Sequence, residues 1–396
     1  MIPRFRPQVG IPEFRELLRR HPNGVAEFEK AFAAKFGCAE AVAFPYGRVA
    51  QRIYLESLGL PPMSRVAMPA YTCSVVAHAV TLSGMRPQFI DIDLRDYNMD
   101  LNVLAEQVDE SVRVVIATHT FGYPQDLDAL EALVHSTEER FGHKIYLVND
   151  LAHAFGANWK GRPIATSGDT AVFGLNISKM ITSIFGGMLL FRDRGQGELV
   201  RRRRDQLLER PPVSRSIRAG VYLTASVTAH AEWLFGLTDM LQRRTGLLDP
   251  WTRAYHLDDQ VAFPPDARWQ MPPVAAAVGT RQLTRYDKII ANRRTNAETY
   301  DELLDLDLDW VKPPLVSGAT YSHYTVRVPD RELARMQWAR RGFQLGELIQ
   351  YSIPDMVGYR SAQEREFPRS ALASRTTVNF PVTVDPQRLR RLLEAG

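Results

Sequence analysis

Between residues 40 and 195, short β-branched and apolar runs alternate with longer stretches whose apolar residues recur at helical spacing. That alternation predicts an α/β fold, a mostly parallel sheet covered by helices. The candidate strands are residues 65–68, 88–92, 113–118, 144–148, 171–173 and 187–191. Between them Ala50, Ile53, Tyr54, Ser57 and Leu58, and then Leu127, Leu130, Leu133 and Val134, each mark one buried helix face. After residue 195 the strand pattern stops, and a long helical stretch runs to roughly Gly246, followed by a loop containing Pro264, Pro265, Pro272 and Pro273. A second unit begins near Val274 with one long helical segment and continues as α+β. Residues 321–328 alternate like a strand, 330–341 read as a helix closed by Gly342, 376–380 form a strand, and Asp385-Pro386 opens a last helix. The expected organisation is a large domain over 1–265, with a helical insertion at about 208–262, and a smaller α+β domain over 266–396.

Composition narrows the function classes. With 45% hydrophobic and 24% charged residues, the chain is neither disordered, collagen-like nor a coiled coil. A net charge of +4 over 396 residues is too weak a bias for nucleic-acid binding, which needs basic charge gathered on one face. The one basic run, Arg201 to Arg204, reads as a solvated helix face. Cys38 and Cys73 are too few to staple the fold and form no Cys-x-x-Cys pair, so a reducing compartment and no zinc site are expected. The first residues, MIPRFRPQVGIPEF, lack the apolar core of a signal peptide, which favours a cytoplasmic location. Residues 219–241 carry no lysine or arginine, the outline of a membrane span, but they include Glu232, Asp239 and His230. Each charge would cost about 2.5–3.5 kcal/mol at mid-bilayer, so a buried or interface helix is the expectation and membrane association is not.

In an open α/β sheet, ligands sit beyond the carboxyl ends of the strands. Four places there could carry chemistry. Tyr46-Gly47-Arg48 follows the apolar run 41–44 and opens a helix, where a glycine lets backbone amides approach an anion; a plain turn is the blander reading. Asp150 ends the run YLVND with His153 just beyond, either as a site carboxylate or as a helix cap. Lys179 lies among Ile177, Met180, Ile181, Ile184 and Phe185, and a lysine drawn into such surroundings loses its proton more readily and becomes a nucleophilic amine. Tyr71-Thr72-Cys73 could lay a flat side chain or a thiol against a ring, or could be a simple connection. An anion cradle, a buried lysine, a carboxylate and a covering loop together suit pyridoxal 5'-phosphate (PLP).

The chain resembles the DegT/DnrJ/StrS family of PLP-dependent sugar aminotransferases. The pieces that carry the resemblance are MPAYTCSVVAHAV, PQFIDIDLRDYNMD, THTFGYPQDLDAL, NDLAHAFGANWKGRPIATSGDTAVFGLNISK, the pair Gly186-Gly187, and MPPVAAAVGTRQLTRYDKIIANRR, in that order. The resemblance implies a fold-type I enzyme with Lys179 at the Schiff-base position, Asp150 at the pyridine nitrogen, His153 against the ring and His323 on the substrate side. It also implies an amino-acid donor, glutamate or glutamine, a keto-sugar acceptor, and a homodimer or homotetramer whose pockets are shared between subunits. Where the family has serine-glycine-threonine at the phosphate turn, this chain has Tyr46-Gly47-Arg48; Gly174 replaces a phosphate-binding serine, and Asn176, Met180 and Phe185 replace histidine, asparagine and glutamate. Arg48, with Arg268 from the partner chain, is therefore expected to hold the phosphate, with Tyr46 near the substrate. Cys73 stands at the ring-covering position of some relatives, beside Tyr71. Two rival readings keep the cofactor, one with a non-sugar or lipid-linked substrate and one as a sugar dehydratase. Dehydratase relatives carry histidine in place of the lysine.

Overall fold

The computed structural model describes residues 1–231, 235, 261–360 and 365–395. Its centre is a seven-stranded sheet made of β1 (Glu40–Phe44), β2 (Arg65–Pro69), β3 (Arg86–Ile90), β4 (Val112–Thr118), β5 (Tyr146–Asp150), β8 (Thr170–Gly174) and β9 (Gly187–Phe191). Residues Asn158–Trp159 (β6) and Arg162–Pro163 (β7) form a separate small hairpin. The sheet order is β1-β9-β8-β5-β4-β2-β3. All pairings are parallel except those of β9, which runs antiparallel to both β1 and β8. The inner strands are near-continuous apolar runs because helices cover both faces. In β4 only Arg113 is not fully buried.

The helices of this domain are α1 (Ile11–Glu16), α2 (Gly24–Phe36), α3 (Gly47–Ser57), α4 (Ser74–Leu82), α5 (Leu101–Gln107), α6 (Leu127–Phe141), α7 (Arg194–Leu207) and α8 (Val213–Ala229). Aspartates start three of them. Asp100, Asp126 and Asp193 accept backbone N–H bonds from the first turns of α5, α6 and α7. The α3 face buries Ala50, Ile53 and Tyr54 as the spacing predicts, whereas Ser57 and Leu58 remain half-buried. On α6, Leu127, Leu130 and Val134 are buried and Leu133 is at the edge.

Several expectations are corrected. The helical stretch after residue 195 is broken at 208–212, where Pro211 and Pro212 stop the ladder and Glu209 instead pairs with Trp269. The insertion continues as α8, and its residues 232–234 and 236–260, which include the end of the apolar stretch, lie outside the described residues. Among the described residues no helix is long and apolar enough to cross a membrane. The arginine run is only partly a solvated face. Arg204 is buried and donates to Glu29 Oε1 at 2.6 Å and to Ala43 O at 3.0 Å, while Arg201 reaches Glu40 and Ala41 O, both at 2.9 Å. These two arginines tie α7 to β1 and α2. The segment after Val274 is two helices, α9 (Pro273–Leu283) and α10 (Tyr286–Leu303), rather than one.

Of five hydrophobic clusters among the described residues, two show how the C-terminal helices attach. Met271, Ala275, Ala276 and Leu283 pack with Phe28, Phe32 and Phe173 on one side of the sheet. Ala297 and Tyr300 instead join Tyr324, Trp338, Val378 and Phe380 in a second core, so α10 links the two. This second core holds the antiparallel pair β10 (Tyr324–Arg327) and β11 (Thr377–Phe380), with α11 (Arg331–Arg340), α12 (Pro368–Thr376) and α13 (Pro386–Glu394). Asp330 and Asp385 cap α11 and α13 as expected, and Gly342 follows α11 with φ +84°, a conformation that suits only glycine.

Beneath the end of β4, His119 is fully buried and held between two partners. Its Nδ1 accepts the Gln125 N–H at 3.0 Å, which leaves the proton on Nε2, 3.0 Å from Asn149 Oδ1. Burial pushes the imidazole down to about 4 from 6.5. Between those values the unfolded chain binds the proton and the folded chain does not, so stability falls as pH drops from about 6.5 to about 4, by roughly 3 kcal/mol at most for this group. Denaturant melts at pH 7 and pH 5 are expected to show this loss, and His119→Gln to show a smaller pH dependence; an unchanged slope contradicts the assignment.

Candidate active site

A cavity of about 730 Å³ opens beyond the ends of β5 and β8, against the first turn of α3. Lys179, Asp150, His153, Gly47, Arg48, Cys73, Asn176, Arg268 and Tyr46 all line it. Asp150 is the last residue of β5, so it emerges at the strand end instead of capping a helix. Its Oδ1 accepts the Ala152 N–H at 3.0 Å, which fixes the carboxylate toward the cavity. Burial raises its proton affinity, opposed by the Ala152 bond and the Lys179 charge.

Lys179 lies in the loop from β8 to β9. Backbone bonds fold that loop on itself: Leu175 N–H donates to Gly186 O at 2.8 Å and Ser183 N–H to Leu175 O at 2.9 Å. Ile177, Met180, Ile181 and Ile184 are buried around the lysine. Desolvation therefore pulls the Lys179 amine below the ordinary lysine value, against the attraction of Cys73 and Asp150. His153 is buried with its Nδ1 unpartnered and its ring parallel to Phe121, 6.2 Å away at 14°. Burial, then the charge of Lys179 and the neighbouring His323, holds it well below the usual imidazole value.

The anion cradle is built by close approach. Tyr46 caps α3 with extended backbone and no side-chain cap, which leaves the first N–H groups of the helix for a ligand. Gly187 packs directly beneath: a Cβ there would lie 2.4 Å from Gly47 N, so the glycine pair after the lysine loop permits the turn. Asn176 turns its Oδ1 back onto Ser178 N–H and Oγ, at 3.0 and 2.7 Å. Arg48 and Arg268 reach the cavity unpaired with any carboxylate among the described residues. Arg268 comes from this chain and rests on Trp269, 4.9 Å from its ring, so no partner chain is needed to bring it there.

Two expected residues are elsewhere. Tyr71 is buried in the second core, donating to Ile349 O at 3.2 Å and bonded to Thr377 Oγ1 at 2.9 Å, so Cys73 alone of that pair faces the cavity. His323 is not on the wall either. It packs edge-on against His153 at 6.0 Å, bonded to Ser322 Oγ, and burial with the nearby Arg293 and Lys179 pushes it down to about 3. Phe185, read as part of the apolar setting of Lys179, is on the wall, and four other wall residues went unread in the sequence: Arg218, Tyr222, Asp266 and Trp269, with Arg215 buried behind them. The available signal was the spacing of Arg215, Arg218 and Tyr222, which puts all three on one face of α8.

A mostly parallel sheet with a lysine loop, a strand-end carboxylate and a helix-terminus anion cradle is the arrangement of fold-type I PLP-dependent transferases. The chain belongs to the DegT/DnrJ/EryC1/StrS aminotransferase family, whose model matches residues 16–221 and 241–388. It is 30% identical over 183 residues to GDP-perosamine synthase of Caulobacter vibrioides, covering 44% of this chain and 48% of that one. It is 31% identical over 169 residues to 3-amino-5-hydroxybenzoate synthase of Amycolatopsis mediterranei, covering 43% and 42%. These matches span about half the length of the curated relatives or less. Among solved structures, the sugar aminotransferase CalS13 of Micromonospora echinospora superposes over 100% of both chains with a TM-score of 0.77 at 20% identity. Spr1654 of Streptococcus pneumoniae, in its PMP form, gives 0.76 at 18% identity, covering 100% of this chain and 98% of that one. At such identities the structures speak to the fold.

Proposed function

We propose that the protein is a PLP-dependent aminotransferase that moves an amino group from an amino acid, glutamate or glutamine, to a keto sugar, nucleotide-activated. The observation that carries this reading is the convergence in one cavity of a desolvated Lys179 amine, the buried Asp150 carboxylate and the unpartnered Nδ1 of buried His153. The residues fit PLP: Lys179 as covalent anchor, Asp150 and His153 at the ring, and Gly47, Arg48, Asn176 and Arg268 at the phosphate, with Cys73 at the ring edge. When bound, the cofactor supplies an aldehyde that captures amines and a ring that accepts electrons.

The chain's own groups do the remaining work. With its amine free, Lys179 Nζ would take a proton from the substrate carbon and return it at the neighbouring position. Asp150 would face the ring nitrogen, its carboxylate oriented by the Ala152 N–H. His153, neutral and packed on Phe121, would lie against the ring and keep water out. The family's dehydratase chemistry, with histidine at the lysine position, is disfavoured by Lys179.

The test is to load the purified protein with PLP, record its visible absorption band, and add single amino acids; glutamate or glutamine is expected to bleach it. If no amino acid changes the band, aminotransfer is excluded. Arg48→Ala is expected to weaken PLP binding about 10- to 150-fold, the worth of a charge-assisted bond at roughly 1.5–3 kcal/mol. Titration of the apoprotein checks this, and unchanged affinity removes Arg48 from the phosphate site.

A further inference from the structure

The cavity carries more positive charge than the cofactor phosphate requires. Arg48 and Arg268 line it, Arg218 stands at its mouth, and Arg215 is buried in the wall behind, against the single carboxylate of Asp266 on that side. Asp266 is largely taken by Arg215, whose Nη1 donates to Oδ2 while Nη2 donates to Tyr46 Oη at 3.0 Å. Tyr46 in turn donates to Asp266 Oδ1 at 2.8 Å, which closes a ring of three side chains. Burial pushes the phenol up to about 12, so Tyr46 keeps the proton it donates. The ring joins α8, the first turn of α3 and the 3-10 turn Pro265–Arg268.

Arg218 follows Arg215 by one turn. Its side chain is 70% exposed and sits 3.7 Å from Asp266 Oδ2, a loose second partner to a carboxylate already paired. One further turn along, Tyr222 lies against Phe185, ring centroids 4.6 Å apart at 35°, and both line the cavity. An exposed guanidinium, only loosely paired, beside a flat apolar surface that includes Phe185 of the lysine loop can recognise an oxyanion attached to a ring or other apolar group.

We propose that Arg218 and Tyr222 form a second oxyanion subsite, which selects the substrate. Arg218 pairs with a phosphoryl or carboxylate group of the substrate, Tyr222 backed by Phe185 takes the adjoining flat part, and the Tyr46–Arg215–Asp266 ring sets the register of α8 that brings both there. The proposal rests on the PLP reading above, since it assumes that the cofactor phosphate occupies the Gly47-Arg48 turn.

The experiment uses PLP-loaded protein, with the absorption band confirming occupancy before any titration. Inorganic pyrophosphate and glutarate are titrated separately by calorimetry, the first standing for a phosphoryl group and the second for a carboxylate. Saturable binding of pyrophosphate, weakened about fivefold or more in Arg218→Ala and restored in Arg218→Lys, with the band unchanged, is the result expected for a phosphoryl-bearing substrate. The same pattern with glutarate alone supports the subsite and assigns it to a carboxylate. Both effects shrink with added salt. Tyr222→Ala is expected to leave the binding of either bare ion unchanged but to raise KM for the ring-bearing substrate. Binding of neither ion, or equal binding by wild type and Arg218→Ala, overturns the proposal while the band still upholds the PLP reading; absence of the band defeats that reading first.

Discussion

Lys179→Ala is expected to abolish turnover to within background, with the loss of proton transfer alone accounting for about 10²- to 10⁴-fold. The variant should still fold, because the loop is held by Leu175, Ser183 and Gly186 backbone bonds and by buried Ile177, Met180, Ile181 and Ile184, not by the amine. It should also take up PLP without the covalent band and yield no labelled peptide after borohydride reduction. A variant that keeps the band, or a wild-type label that maps to another residue, displaces Lys179 from the chemistry. A pH dependence follows from the same burial. Desolvation lowers the amine's affinity for its proton, so capture of PLP by the apoprotein should rise with pH through an inflection below that of a free lysine, about 10.4. Stopped-flow measurement of band formation reads that inflection directly.

Arg215→Ala has the largest effect expected on stability. The Arg215 side chain is 2% exposed and that of Asp266 11%, so removing the guanidinium leaves a desolvated carboxylate and a phenol oxygen without its donor. Breaking a buried pair from one side costs about 3–5 kcal/mol. Denaturant unfolding should show that loss. The double variant Arg215→Met with Asp266→Leu should recover most of it, since the penalty is the lone buried charge. Its cavity wall would nevertheless lack the ring that orients α8, so pyrophosphate or glutarate binding should not recover with stability. Recovery of both would mean that the ring contributes to folding but not to the subsite.

Much of the site was legible in the sequence because its parts are local. Asp150 follows an apolar strand run, Gly47 opens an amphipathic helix, and Lys179 is surrounded by its own sequence neighbours; each signal is complete within a few residues. Tyr71 shows the limit. It lies two residues from Cys73 and has the right chemistry to cover a ring, but bonds to Ile349 and Thr377, far along the chain, draw it into the second core. The same holds for α8. In sequence, Arg215 and Arg218 are two more arginines of a helix, and Asp266 belongs to a proline-rich loop; their pairing across 51 residues decides which is structural and which faces the cavity. Arg204, read as solvated, is buried for a similar reason, since its partner Glu29 sits 175 residues away.

Periodicity and strand-end residues by themselves determined the α/β architecture and marked out Lys179, Asp150 and Gly47 as candidates, which the fold brings to one cavity, because hydrophobic spacing and backbone geometry act over one or two turns of chain. Only the tertiary structure decided that Tyr71 and His323 stand back from the cavity, that Arg268 enters it from the same chain, and that α8 forms its outer wall. Those outcomes depend on which distant groups satisfy a buried charge or hydrogen bond, and that choice is made when the elements pack.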